Sequence, residues 1–210
     1  MENLKQKIID FFGDSKTEEE LFGGSMGLAK AIAIFAHHGQ FRENGEYYVT
    51  HPINIATKFF KLMCLNGEEK PLPVDLVASF DLPNKGTFEV CMHHDVIEDT
   101  DVTLEDIKEL YTESGFIAAF ERYLETPLKL LTHNKNEDYD IYINKVLTNK
   151  TASFVKMLDM IDNLNVTSLI SFNEKEVERC HKYINYIKLI NDKYHFLEKL
   201  DELKKYAEKY

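Results

Sequence analysis

The segment HHDVIEDT, residues 93–100, places two histidines and three acidic residues within eight positions. If the segment is helical, His94 lies one turn before Glu98, and Asp95 lies one turn before Asp99. Two like charges at that spacing repel each other and destabilise a helix. Imidazoles and carboxylates are also the side chains that bind divalent metals. The segment therefore indicates a bound cation close to this helix.

Two other positions could complete a metal site. His51 stands just before Pro52, a residue favoured in the first turn of a helix, and Asp159 lies in the apolar segment VKMLDMIDN. Together with His94 and Asp95 they supply two imidazoles and two carboxylates, a set that suits Mn²⁺, Fe²⁺ or Zn²⁺ and leans toward Mn²⁺. The apolar neighbours predict that Asp159 is buried, with the metal as its partner. We expect its removal to abolish metal binding with little loss of stability of the metal-free protein.

Most of the sequence has apolar residues at spacings of three and four, which predicts an all-α protein. The segment GQFRENGEYYVTH contains glycines and a Tyr-Tyr-Val run, and it predicts a short hairpin-like piece near residues 41–50. Residues 66–86 hold three of the five prolines and predict an irregular loop. Helices are predicted over residues 2–12, 26–38, 52–65, 86–99, 104–111, 114–132, 137–148, 151–165 and 174–208, with a break in the last near Asn191.

Size and composition limit the functional classes. A length of 210 residues suits one domain, and the formal net charge of −11 argues against general binding to nucleic acid or to an anionic membrane. Three scattered cysteines without CxxC spacing favour buried thiols in a reducing cytoplasm. We find neither a signal-peptide pattern nor a membrane-spanning run. We therefore expect a cytoplasmic protein. A short heptad-like spacing is a weak indication of a homodimer; its members are Ile187, Ile190, Tyr194 and Leu197.

Three segments carry a more specific resemblance. AHHGQFRENGEYYVTHP, HHDVIEDT and VKMLDMIDNL are similar to the patterns AHxGQxRxxGxPYxxHP, LHDxxEDT and VKLADRLHNM. These patterns are typical of HD-domain hydrolases of guanosine tetra- and pentaphosphate (ppGpp), found in RelA/SpoT-type proteins and in small stand-alone relatives. The resemblance covers about residues 26–190. It implies an HD-domain helical bundle, with residues 1–210 forming a single HD-type hydrolase domain that has helical extensions at both ends.

The resemblance also implies roles for the matched residues. The four candidate ligands would bind the metal, and Glu98 and Asp99 would form the catalytic acidic pair. A divalent ion lowers the pKa of bound water, and carboxylates one turn away can orient or deprotonate that water. Arg42 and Asn163 would contact the substrate, although a surface ion pair between Arg42 and Glu46 is the alternative.

Two further residues are candidates for supporting roles. Lys156 could meet a substrate phosphate, or it could lie on a solvated face of its helix. His37 belongs to the first matched block and is expected behind the metal ligands, in the second shell.

The implied activity is metal-dependent removal of the 3′-pyrophosphate of ppGpp, a small nucleotide, to leave GDP and pyrophosphate. Three departures from the family pattern, Glu43, Met160 and Asp162, remove positive charge or an aromatic side chain near the expected substrate contacts. They leave the candidate ligands intact. The alternatives are another HD-domain nucleotide phosphatase, such as a nucleotidase or an NADPH 2′-phosphatase, and a non-catalytic nucleotide sensor.

Overall fold

The computed structural model describes residues 3–64, 71–165 and 173–208. These ranges contain helices and two isolated antiparallel bridges but no extended strand, which confirms the all-α prediction. A π-helical turn at Phe120–Leu124 joins the helix Ile117–Ala119 to the helix Glu125–Leu131. The helices are α1 Leu4–Phe12, α2 Glu18–Phe22, α3 Ser25–Ala36, α4 Thr50–Leu62, α5 Val74–Ser79, α6 Thr87–His93, α7 Val96–Asp99, α8 Leu104–Glu113, α9 Ile117–Ala119, α10 Glu125–Leu131, α11 Tyr139–Val146, α12 Lys150–Asn163, α13 Glu174–Tyr194 and α14 Phe196–Ala207.

Helix α6 lies inside the bundle, packed against α3, α4, α10 and α12. It begins after Gly86, whose φ of 73° places it in the left-handed region. A Cβ at this position would lie 2.6 Å from the Cβ of Tyr123, so a glycine is required on steric grounds as well. Almost every residue of α6 is buried. The helix therefore delivers the residues that follow it, His94 and Asp95, to the interior.

The predicted helix over residues 86–99 is interrupted. Helix α6 ends at His93, and α7 begins at Val96. Asp95 has φ −104° and ψ −9°, outside regular helix geometry. The amide of Asp99 still donates to the carbonyl of Asp95 at 2.9 Å, so these two residues remain one turn apart. The chain therefore leaves regular helix geometry directly after His94.

Helix α12 carries the third sequence block. Its N-terminus is capped by Asn149, whose side chain accepts from the amide of Ala152 at 2.9 Å. The helix packs against α4, α6 and α13. Asp162 and Asn163 follow Asp159 by three and four residues, so both lie on the same side of the helix as Asp159, one turn further on.

The hairpin-like piece is present between α3 and α4. Phe41 and Tyr47 form an antiparallel bridge. The amide of Arg42 donates to the carbonyl of Glu46 at 2.8 Å, and Gly45 has a φ of 83°. The hairpin brings Arg42 and Tyr48 close to the start of α4, where His51 lies.

Other sequence predictions need adjustment. The predicted loop at 66–86 contains helix α5, which starts directly after Pro73, since proline is tolerated ahead of a helix; its residues 66–70 lie outside the described ranges. Helix 174–208 breaks at His195, which has a positive φ, rather than near Asn191. The short helix α2 was not predicted.

Most of the residues that suggested a homodimer pack within the chain itself. Ile190 is fully buried, and Ile187 and Tyr194 pack against the core of the same chain. Leu197 is exposed and lies on the next helix, beyond the break. The heptad-like seam is therefore not continuous, and the homodimer stays a prediction. Within the described ranges, no helix is both long and apolar enough to cross a membrane.

Candidate metal centre and cavity

Side chains from three helical segments converge on one point. Atoms of His51, His94 and Asp159 that could bind a metal lie within 4.8 Å of one another. The Nε2 of His51 is 3.1 Å from Oδ1 of Asp159 and 3.5 Å from Oδ2 of Asp95. The Nε2 of His94 is 3.0 Å from the same Asp95 oxygen and 3.8 Å from Oδ1 of Asp159. The structure thus brings together all four ligands predicted from the sequence.

Both imidazole rings are oriented by bonds at their other nitrogen. The Nδ1 of His94 lies 2.8 Å from the carbonyl oxygen of Cys91, and the Nδ1 of His51 lies 2.7 Å from Oδ2 of Asp162. Such bonds place the proton on Nδ1 and leave Nε2 free to bind a metal. The Nε2 of His94 is buried and makes no hydrogen bond of normal geometry among the described residues. A divalent cation fits this donor set.

The charges around the site favour a cation. Burial lowers the pKa of His94, but Asp95 and Asp159 outweigh burial and raise the pKa to about 10. Burial raises the pKa of Asp159, but Lys156 and the histidines outweigh it and hold the pKa well below its usual value. Without a metal, a proton on His94 offsets the charge of these carboxylates, so a divalent ion must displace that proton to bind.

Asp159 is buried, as the apolar neighbours predicted, with 4% of its surface exposed. It has partners other than a metal. Oδ2 accepts from Nζ of Lys156 at 2.7 Å, and Oδ1 accepts from the side-chain amide of Asn163 at 2.6 Å. Removing the carboxylate would leave Lys156, itself largely buried, without its counter-charge. The expectation that the metal-free protein would tolerate this loss therefore has to be revised.

The candidate metal centre opens into a polar cavity of about 220 Å³. Its wall combines metal-site carboxylates, basic side chains and aromatic rings, which is a suitable lining for a phosphorylated ligand with an aromatic or sugar portion. The lining residues are Arg42, Tyr48, His51, Asp95, Glu98, His133, Tyr139, Tyr142, Lys156, Asp159, Asn163 and Tyr183.

The two residues of the predicted acidic pair have different surroundings. Glu98 is half-buried in the cavity wall and accepts from the amide of His133 at 2.9 Å. Burial raises the pKa of Glu98, and that hydrogen bond only partly offsets the effect. Asp99 is exposed, and its Oδ2 accepts from the hydroxyl of Tyr48 at 3.0 Å. Glu98 is therefore the better placed of the two to exchange a proton with a molecule in the cavity.

Tyr48 was not predicted as a site residue. Its hydroxyl lies 2.8 Å from Oδ2 of Asp95 and 3.0 Å from Oδ2 of Asp99. It therefore bridges the two carboxylates whose like charges, one turn apart, repel each other. Its ring packs at 4.8 Å against the ring of His37, a buried residue. His37 thus lies behind Tyr48, one layer from the metal centre. Tyr48 could have been predicted as a site residue from the sequence, because it matches the tyrosine of the pattern AHxGQxRxxGxPYxxHP.

Arg42 does not form the alternative surface ion pair with Glu46. Its guanidinium lines the cavity, 3.4 Å from Oδ2 of Asp162 and 3.3 Å from Oδ1 of Asn163. Both predicted substrate contacts, Arg42 and Asn163, therefore lie together beside the metal centre. In the sequence, Asp162 was recognised only as a departure from the family pattern. In the structure it is buried and also contacts His51 and Lys58.

The fold and the converging side chains define an all-α protein with a candidate metal centre built from histidines and aspartates. No family model matches the chain. Its sequence is 35% identical to *Escherichia coli* SpoT, a bifunctional (p)ppGpp synthase/hydrolase, over 113 residues, which are 54% of this chain and 12% of SpoT. A *Haemophilus influenzae* guanosine-3′,5′-bis(diphosphate) 3′-pyrophosphohydrolase is 35% identical over 83 residues, 40% of this chain and 10% of the relative. The chain thus spans about a tenth of the length of these bacterial relatives.

A smaller relative matches over most of its length. MESH1 of *Drosophila melanogaster*, a guanosine-3′,5′-bis(diphosphate) 3′-pyrophosphohydrolase, is 25% identical over 162 residues, 76% of this chain and 79% of MESH1. A solved structure of a metazoan ortholog of SpoT that hydrolyses ppGpp superposes with a TM-score of 0.54 at 21% identity, covering 88% of this chain and 96% of that one. It shares the fold. The chain is related to the HD-domain ppGpp hydrolases, and the resemblance noted in the sequence is confirmed.

Proposed function

We propose that the protein is a metal-dependent phosphohydrolase that removes pyrophosphate from the 3′ position of ppGpp, leaving GDP. One observation carries the proposal: the Nε2 atoms of His51 and His94 meet the carboxylates of Asp95 and Asp159 at a cavity that also exposes a basic side chain, Arg42. A sequence relationship to enzymes named for this reaction supports it.

The four converging side chains would hold the cation, and we propose Mn²⁺ because two carboxylates and added waters give an oxygen-rich set. A divalent cation there would acidify a bound water and offset the charge of a phosphate. Fe²⁺ and Zn²⁺ also suit two imidazoles. We propose a cytoplasmic location, in line with the three scattered cysteines, which show no CxxC spacing.

The chain's own residues would divide the remaining work. Glu98 would exchange a proton with the attacking water. Asp99 would orient Tyr48, whose hydroxyl also contacts Asp95. Lys156 holds Asp159 and lines the cavity, where its ammonium can also meet a phosphate oxygen. Arg42 and Asn163 would contact the nucleotide.

A second candidate is a phosphatase for a different nucleotide, such as an NADPH 2′-phosphatase or a nucleotidase. The observation in its favour is that Asp162 sits against Arg42 and removes part of the positive charge that a bis(diphosphate) would need. A non-catalytic nucleotide sensor is less well supported, because nucleotide binding alone does not require a half-buried carboxylate such as Glu98 in the cavity.

The test is product analysis with the purified protein and Mn²⁺. The proposal predicts that ppGpp yields GDP and pyrophosphate in equal amounts and that Glu98→Gln abolishes this turnover while retaining the metal. Release of orthophosphate alone, from any of a panel of nucleotides, would favour the second candidate. Binding of ppGpp without turnover would favour the sensor.

A further inference from the structure

We propose that Asp162 is a positioning residue of the metal centre: it receives the Nδ1 proton of His51 and thereby presents Nε2 to the cation. The inference concerns the metal centre of the proposed function and rests on it. It gives a role to a residue that departs from the pattern VKLADRLHNM.

The contact between the two residues is short and shielded from water. Nδ1 of His51 lies 2.7 Å from Oδ2 of Asp162, and the two residues are 3% and 4% exposed. On the opposite side of the ring, Nε2 faces Oδ1 of Asp159 at 3.1 Å. Because a neutral imidazole carries one proton, a carboxylate at Nδ1 fixes the tautomer whose lone pair lies at Nε2. The same bond fixes the rotation of the ring.

Asp162 is itself held on its other sides. Its Oδ1 pairs with Lys58, and its Oδ2 lies 3.4 Å from Nη1 of Arg42. Two cations and one imidazole therefore surround a single buried carboxylate. This arrangement keeps the carboxylate from turning toward the metal, so it serves the ligand and not the ion directly. It also links the cavity-lining Arg42 to the ligand His51 through one residue.

The experiment compares Mn²⁺ affinity in the chelator-treated wild type, Asp162→Asn and Asp81→Asn. Asp81 is a matched control because it is an exposed aspartate paired with two lysines, Lys150 and Lys199. We expect Asp162→Asn to weaken Mn²⁺ binding by about 10–100-fold, the usual effect of losing a bond to a metal-binding histidine. Asp81→Asn should bind as the wild type does. Calorimetry of Mn²⁺ binding needs no turnover, so a failure of the proposed ppGpp activity does not affect this result.

A second measurement applies to the wild type and does not depend on the variant folding. In protein carrying ¹⁵N-labelled histidine and loaded with diamagnetic Zn²⁺, NMR should show His51 bound through Nε2, with a slowly exchanging proton on Nδ1. Coordination through Nδ1 would overturn the inference. Unchanged Mn²⁺ affinity in Asp162→Asn, or an equal loss in Asp81→Asn, would overturn it as well.

Discussion

Replacing Asp159 by asparagine separates two roles of one carboxylate. Its Oδ1 faces the histidines of the metal centre, and its Oδ2 accepts from Lys156 at 2.7 Å. Asparagine has the same shape but no charge. We expect Asp159→Asn to lose metal binding and also to destabilise the metal-free protein, because the ammonium of Lys156 stays in place without its counter-charge.

The magnitude follows from burial. The side chains of Lys156 and Asp159 are 14% and 6% exposed, so this is a buried pair. Removing one partner of such a pair costs about 3–5 kcal/mol, and the low end applies here because Lys156 borders a water-accessible cavity. For a chain of this length, about 3 kcal/mol lowers Tm by roughly 6–12 °C. The exposed pair at Asp81 should cost under about 1 kcal/mol when it is changed to asparagine.

The assay is thermal unfolding of the chelator-treated proteins together with metal analysis after reloading. The double variant Asp159→Asn/Lys156→Met should regain much of the lost stability, because the unpaired ammonium is gone, but it should not regain the metal. Stoichiometric metal in Asp159→Asn would refute the ligand assignment. A Tm equal to that of the wild type would refute the buried-pair argument.

Three further outcomes are expected. Glu98→Gln should keep the metal and lose about 10²–10⁴-fold in turnover, which metal analysis and kcat would establish; equal loss of metal would contradict a purely catalytic role. Tyr48→Phe should keep the metal but lower the free energy of unfolding by about 1 kcal/mol, since Asp95 and Asp99 lose a shared donor; an unchanged value from denaturant titration would argue against the bridge. His94 has a pKa of about 10 in the metal-free protein and must lose its proton to bind an ion. Apparent Mn²⁺ affinity should therefore rise with pH up to that value. Calorimetry in different buffers would measure the proton release. Affinity that does not change with pH would contradict this.

The sequence predicted the fold class and the converging ligands for clear physical reasons. Apolar spacing predicts helices, whereas the meeting of the three separated blocks was expected from their resemblance to one family. The break at Asp95 was not predictable from periodicity, because the residues on either side continue the helical pattern. Its cause is tertiary: α6 is enclosed by other helices, and the chain must turn to bring Asp95 toward His51.

Partners of individual polar side chains were also missed. Asp162 could be recognised in the sequence only as a departure, since its contact with His51 joins positions 111 residues apart. Lys156 was weighed as a phosphate contact or a solvated residue, and its pairing with Asp159 on its own helix was not predicted. Both examples concern polar side chains whose partner depends on packing, which apolar patterns do not encode.

The central claim is that four side chains hold one catalytic metal. Anomalous scattering from Mn²⁺ in crystals of the protein tests it most directly. The account predicts a single strong peak within bonding distance of the Nε2 atoms of His51 and His94 and of carboxylate oxygens of Asp95 and Asp159. A peak at another place in the protein, or none in crystals of a preparation that hydrolyses ppGpp with Mn²⁺, would contradict it.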